Sequence, residues 1–168
     1  MRPRTLGSIC GVSPSPGSRN PLRRRSQRAE SDGPRSGDGG ERGLRVLVYS
    51  SNRAVRAAVL SALGPRPDPA LPEMEFVEAA TAPMVLRHAE RTEFDLLILD
   101  GEAAPTGGMG LSRQLGDELD ACPPILVLIG RREDAWLAEW SRADDAVAHP
   151  LDPFELSRAV VALVRPAS

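Results

Sequence analysis

Lysine is missing altogether: all 21 basic residues of this 168-residue chain are arginine. No side-chain amine is therefore available for Schiff-base chemistry or for neutralising a phosphate with a compact ammonium. Cysteine occurs only as Cys10 and Cys122, too scattered for a disulfide framework or a metal site, so a reducing cytoplasm is the expected compartment. Apolar runs are short, on the scale of Ile125–Ile129, and none approaches a membrane span. The N-terminus carries arginine but no apolar core of a secretory signal. These absences predict a cytoplasmic chain without membrane attachment, and the lack of clustered ligands predicts no resident metal.

What is present divides at about residue 43. Residues 1–43 hold nine Arg against Glu30, Asp32, Asp38 and Glu41, a net of +5, while the remainder carries a net of −7. The first segment is rich in Ser, Pro, Gly and Arg and has too few apolar residues to offset the entropy of ordering. It is expected to be a disordered tail. Its Arg23–Arg25 cluster offers at most a weak electrostatic contact with nucleic acid or acidic lipid. The simpler expectations are a solvated tail or a start codon assigned too early. The abundance of Arg, Ala, Gly and Pro suggests a GC-rich genome.

From Leu44 to the end the pattern is that of one α/β domain. Leu44–Tyr49 is a β-rich run, and Asn52 is placed to cap a helix with Val55, Ala58, Val59, Ala62 and Leu63 on one stripe. Gly64 and Pro65 end it. A second strand is predicted over Met74–Ala79, and Thr81 is placed to cap a helix around Pro83–Arg91. Asp95–Asp100 is a buried strand ending in a carboxylate, followed by a Gly-rich loop and a helix with Leu111, Leu115 and Leu119. Then come a strand over Pro124–Ile129, a helix near Glu133–Arg142 and a short strand over Asp145–Ala148. Asp152, Pro153 and Glu155 open a last helix whose stripe is Leu156, Ala159, Val160, Leu163 and Val164.

Strands and helices in alternation predict a doubly wound, five-stranded parallel sheet covered on both faces. The first, third and fourth strands are almost wholly apolar, as central strands are. The second and fifth are mixed or short, as edges are. The order 2-1-3-4-5 of flavodoxin-like folds follows, with function at the carboxyl ends of the strands.

DLLILD at 95–100 followed by Pro105 and glycines, together with ADDAVAHPLDPFEL at 143–156, resembles the receiver domain of bacterial response regulators. The resemblance implies that Asp100 stands where the family accepts a phosphoryl group from a kinase phosphohistidine. It also implies that the metal-binding acidic pair is replaced by Ser50 and Ser51, the conserved-role lysine by His149, the hydroxyl-bearing residue by Ile129 and the aromatic switch by Ala146. Mg²⁺ prefers carboxylates and water, so two hydroxyls in place of two carboxylates predict weak metal binding. A neutral imidazole and an isoleucine leave the transferring phosphoryl group without its charge and hydrogen-bond partners.

Other features are weaker. TGGMG at 106–110 matches no phosphate-loop spacing and is expected to be a flexible connection. Ser50 or Ser51 with His149 and Asp100 has the composition of a triad but no spacing that defines one, so no catalytic residue and no enzyme activity are expected. Trp136 and Trp140 stand four apart, on one helical face, either in the core or as anchors for a partner.

The expected function is a stand-alone atypical receiver that signals by protein–protein interaction with little or no phosphorylation. Its partner is expected to be a sensor kinase or an output protein, or a second copy. The first alternative is a phosphorelay receiver still phosphorylated on Asp100, which alone would require Mg²⁺. The second is an anion or nucleotide sensor using the degenerate crevice.

Overall fold

The structure is a computed structural model and describes residues 42–165. The tail expected over residues 1–43, with its Arg23–Arg25 cluster, lies outside the described residues except for Arg42 and Gly43. Arg42 is placed, donating from Nη2 to Asp95 Oδ1 at 3.1 Å.

The chain runs β1 (Leu44–Tyr49), α1 (Arg53–Leu63), β2 (Met74–Ala79), α2 (Ala82–Arg91), β3 (Leu96–Asp100), α3 (Gly108–Glu118), β4 (Ile125–Ile129), a 3-10 turn (Arg132–Asp134), α4 (Ala135–Trp140), β5 (Asp145–Ala148) and α5 (Pro153–Val164). The five strands are parallel and ordered β2-β1-β3-β4-β5, as expected from their apolarity. Strand parity explains why the central strands are apolar throughout. Val46, Val48, Leu96, Ile98, Leu126, Leu128 and Val147 join the core under α1 and α5. Their neighbours Leu47, Tyr49, Leu97, Leu99, Ile125, Val127 and Ile129 join a second core with Val85, Leu111 and Leu115 of α2 and α3. A central strand that buries both faces cannot alternate with polar residues.

The local signals for helix ends mostly hold. Asn52 Oδ1 accepts from Ala54 N at 2.9 Å, and Gly64 closes α1 at φ 59°, a conformation that costs a side-chain-bearing residue. Asp152 Oδ1 accepts from Phe154 N and Glu155 N at 2.9 and 2.8 Å. Four expectations need correction. Thr81 occupies the cap position of α2, but its side chain makes no cap hydrogen bond. Ala58 is exposed, and Leu60, outside the predicted stripe, packs against the core instead because its longer side chain reaches in from the flank. Leu119 lies one residue past the end of α3.

The fourth correction is the largest. The helix expected over Glu133–Arg142 is a 3-10 turn followed by only six α-helical residues. Ser141 Oγ donates to the Ala138 carbonyl at 2.8 Å, a local bond that competes with continued helix, and Arg142 turns the chain at φ 63°. Among the described residues no helix is long and apolar enough to cross a membrane.

Candidate functional site

Register brings the first site residues together. Tyr49 pairs with Leu99 across β1 and β3, so the residues that follow, Ser50 and Asp100, stand side by side with the same parity. Ser50 Oγ donates to Asp100 Oδ2 at 2.6 Å and accepts from Asn52 N at 3.0 Å, so both of its roles are filled. Asp100 Oδ1 accepts from Glu102 N at 3.0 Å. The carboxylate is only 2% exposed, and Ser50 is fully buried. Burying a charge without such donors is costly, and two short bonds to it are the compensation.

The remaining candidates are more dispersed. His149 Nε2 lies 3.9 Å from Asp100 Oδ1, an ion pair only when the imidazole is protonated. Ser51 Oγ accepts from Ala104 N at 3.1 Å and so holds the loop after β3 rather than facing Asp100 as a free ligand. Ile129 is buried in the second core. Ala146 lies on the edge strand β5, half-buried against the same core. Asp100 therefore sits between Ser50 and His149, on opposite oxygens. A serine triad needs the imidazole next to the serine, and that order is not present here.

Three neighbours of the crevice went unnoticed in the sequence. The Glu102 carboxylate lies over Gly130: a Cβ built on that glycine would come within 2.9 Å of Glu102 Oε1. A second negative group thus stands at the carboxyl end of β4, made possible by a residue with no side chain. Arg56 of α1 donates from Nη1 to the Ser50 carbonyl at 2.7 Å and from Nε to Glu78 at 2.9 Å, tying the end of β1 to the end of β2. Tyr49 is buried and donates its hydroxyl to the Thr106 carbonyl at 2.6 Å. Burial, and secondarily the charge of Asp100, push its phenol above the ordinary value. Glu102 was legible only as one loop carboxylate among several, and Arg56 as one helix arginine among twelve in the domain. Nothing in their spacing marks them.

Of TGGMG at 106–110, Gly108–Gly110 open α3, and the loop before it is bonded to the strand ends. Besides the Tyr49 and Ser51 bonds, a Cβ on Gly108 would lie 2.8 Å from the Asp100 carbonyl group. The first turn of α3 thus approaches β3 backbone to backbone. A depression of about 490 Å³ lies at the other end of the sheet, lined by Arg42, Phe94, Leu119, Cys122 and neighbours, and no crevice residue lines it. Burial, then the charge of Asp144, raise the Cys122 thiol, which keeps it in the unreactive protonated form.

Trp136 and Trp140 project from α4 at 65% and 61% exposure. Of the two places open to them from sequence, the core is excluded. Six helical residues tethered by Ala138 cannot turn that face inward. The Arg113 guanidinium of α3 lies 4.6 Å from the Trp140 ring centre.

A parallel sheet in the order 2-1-3-4-5, with a buried carboxylate ending its third strand at the topological switch, is the flavodoxin-like arrangement that receiver domains share. The chain belongs to the response regulator receiver family: it is 59% identical over 122 residues to the uncharacterized response regulatory protein Rv3143 of Mycobacterium tuberculosis, covering 73% of this chain and 92% of that relative. No family model matches the chain. Solved structures agree on the fold. The receiver domain of the Francisella response regulator 1452 superimposes with a TM-score of 0.62 at 17% identity, over 73% of this chain and 97% of its own. A chain from the co-crystal of the Saccharomyces cerevisiae phosphotransfer protein Ypd1 with the receiver domain of Ssk1 does so with a TM-score of 0.60 at 16% identity, over 72% and 88%.

Proposed function

We propose that this receiver domain signals by binding other proteins, with little or no phosphorylation of Asp100, and that it is not itself an enzyme. The observation that carries this reading is the hydrogen-bonding state of the crevice. Asp100 is engaged on both oxygens by Ser50 Oγ and Glu102 N. Ser51 is spent on the loop amide of Ala104.

The donor set does not fit a Mg²⁺ ion. It offers the Asp100 carboxylate, hydrogen-bonded on both oxygens, two hydrogen-bonded hydroxyls and the Glu102 carboxylate lying over Gly130, where a hard divalent cation prefers several convergent anionic oxygens and waters. Among the described residues no group of three or more His, Cys, Asp or Glu is arranged to hold a metal. Glu102 at the carboxyl end of β4 adds negative charge to the path of an anionic donor. Phosphoryl transfer depends almost entirely on positioning and on neutralising the transferred group, and this pocket supplies little of either.

Binding is supported by the α4 face. Two tryptophans exposed by more than half are the kind of side chain that anchors interfaces. The similar fold in the Ypd1–Ssk1 co-crystal meets its partner as a receiver domain, and a phosphotransfer protein, a kinase or an output protein is the class of partner proposed here. A cytoplasmic location is part of the same proposal.

The phosphorelay alternative retains one specific support, the approach of His149 to Asp100, since a protonated imidazole would bring a cation to the carboxylate. Incubation of the full chain with acetyl phosphate and Mg²⁺, read by intact mass, separates the two. No phosphoryl adduct is expected. A Mg²⁺-dependent adduct that disappears in Asp100→Asn would establish the phosphorelay reading in its place.

A further inference from the structure

The α4 face has a definite charge as well as exposed aromatics. Among the described residues the large hydrophobic side chains left exposed are Trp136, Trp140 and Phe154, the last at 86%. They occupy α4 and the first turn of α5, and the Arg132–Glu155 ion pair at 3.1 Å joins the 3-10 turn before α4 to α5. Residues 131–155, which hold all three, carry three Arg and seven carboxylates. Two of those arginines are already committed, Arg132 to Glu155 and Arg142 to Asp117 at 2.8 Å. Glu133 and Glu139 stand three residues to either side of Trp136, and neither has an ion-pair partner among the described residues.

Two further observations give the face a shape and a chemical preference. Beside the free edge of β5 lies a depression of about 350 Å³ lined by Ala146, Ala159 and Ala162 together with Asp145, Glu155 and Arg158. Small side chains leave room there for aliphatic groups from outside. The domain also already places a guanidinium on one of these indoles, Arg113 over Trp140. Indole faces attract cations, and carboxylates beside them strengthen the attraction while repelling acidic segments.

We infer that this face takes a basic amphipathic partner segment, one that offers Arg or Lys beside aliphatic side chains. The inference deepens the proposed function and rests on it in one respect, the use of the α4 face for binding. The chemistry of the occupant is new. Aromatics alone would accept any apolar segment, but the excess of unpaired carboxylates selects by charge.

The test uses the full chain and three synthetic helical peptides of about 18 residues. One is built of Leu and Arg, one has Gln in place of Arg, and one has Glu. Trp136 and Trp140 are the only tryptophans in the chain, so intrinsic fluorescence reports this face alone. The Arg peptide is expected to shift the emission. Its affinity should fall about tenfold in E133Q/E139Q, and comparably when salt is raised from about 0.05 to about 0.5 M. The Glu peptide should leave the emission unchanged. Both substitutions are on the surface, and circular dichroism checks that the variant is folded. An Arg peptide that does not bind, or that binds E133Q/E139Q as well as wild type, overturns the inference. So does equal binding of the Gln peptide; if that binding, followed by titration calorimetry because the variant has no tryptophan, is lost in W136A/W140A, the α4 face remains a binding site and only its preference for basic partners falls.

Discussion

The crevice at Asp100 and the face around α4 lie on one domain and are built in opposite ways. In the crevice Ser50 and Asp100 are buried and bond each other, and partly buried or exposed backbone amides of Asn52, Glu102 and Ala104 complete the network from within. On α4 the indoles are exposed, and Glu139 and, in the turn before the helix, Glu133 lack ion-pair partners among the described residues. A site whose hydrogen bonds are complete has little left to offer an incoming ligand, whereas uncovered indoles and unpaired charges have surface to gain by binding. On the proposed function, the hydrogen bonds of the pocket residues serve the fold and the α4 face serves binding.

Substitutions should therefore affect stability in the crevice and binding on α4. The largest stability loss is expected from Gly108→Ala, whose methyl group would enter the Asp100 backbone at 2.8 Å. Overpacking against main chain of this kind costs about 3 kcal/mol, measurable as a lower midpoint in urea with an unchanged slope. An unaltered midpoint would mean that the loop yields and the crevice is not rigid. Next comes Ser50→Ala, which strips a buried donor from a buried carboxylate and should cost about 2 kcal/mol. In an Asp100→Ala background the same change should cost far less, because the charge that needs the donor is gone. Additivity in that double-mutant cycle would show that Ser50 and Asp100 do not depend on each other.

How much of this was legible beforehand depends on whether a residue's role is local or assembled. The strand order came from apolarity, since only β1, β3 and β4 bury both faces, and the ends of α1 and α5 from Asn52, Gly64 and Asp152, whose partners lie within four residues. Asp100 was legible because it ends an apolar run. Glu102, Arg56 and Tyr49 were not, because their partners Gly130, Ser50 and Thr106 are brought near only by folding. The length of α4 was misjudged for a similar reason: its apolar spacing continues, but Ser141 and Arg142 turn the backbone. The exposure of the tryptophans could not be decided from a four-residue spacing, which is the same for a core stripe and a docking stripe.

Tyr49→Phe should have a smaller effect than either crevice change. It removes one partly buried hydrogen bond, to the Thr106 carbonyl, and should cost about 1 kcal/mol at neutral pH. Its pH dependence is more informative. The phenol is raised in the folded state by burial and then by Asp100, from an ordinary value of 10.0. A folded-state value above the unfolded one means that the stabilisation is complete below about pH 10 and is lost as pH rises through the folded value. The gap between wild type and Tyr49→Phe should therefore narrow in strongly alkaline solution. A gap that stays constant there would mean that Tyr49 is not held as the protonated donor to the loop.

Trp136→Ala completes the comparison with the smallest expected change in stability. Its ring is mostly in water, so truncation removes little buried area, and the melting temperature should stay within the range of an ordinary surface substitution, about 0.5 kcal/mol. Trp140→Ala should cost somewhat more, because it also removes the stacking of Arg113. Both should nonetheless weaken partner binding by tenfold or more, since anchors of this kind carry most of an interface's energy. A variant that melts like wild type yet no longer binds would separate binding from folding as cleanly as the crevice joins them. If instead Trp136→Ala unfolds the domain as readily as Gly108→Ala does, the indole is supporting the fold, and the distinction between an internally satisfied crevice and an outward-facing α4 would be lost.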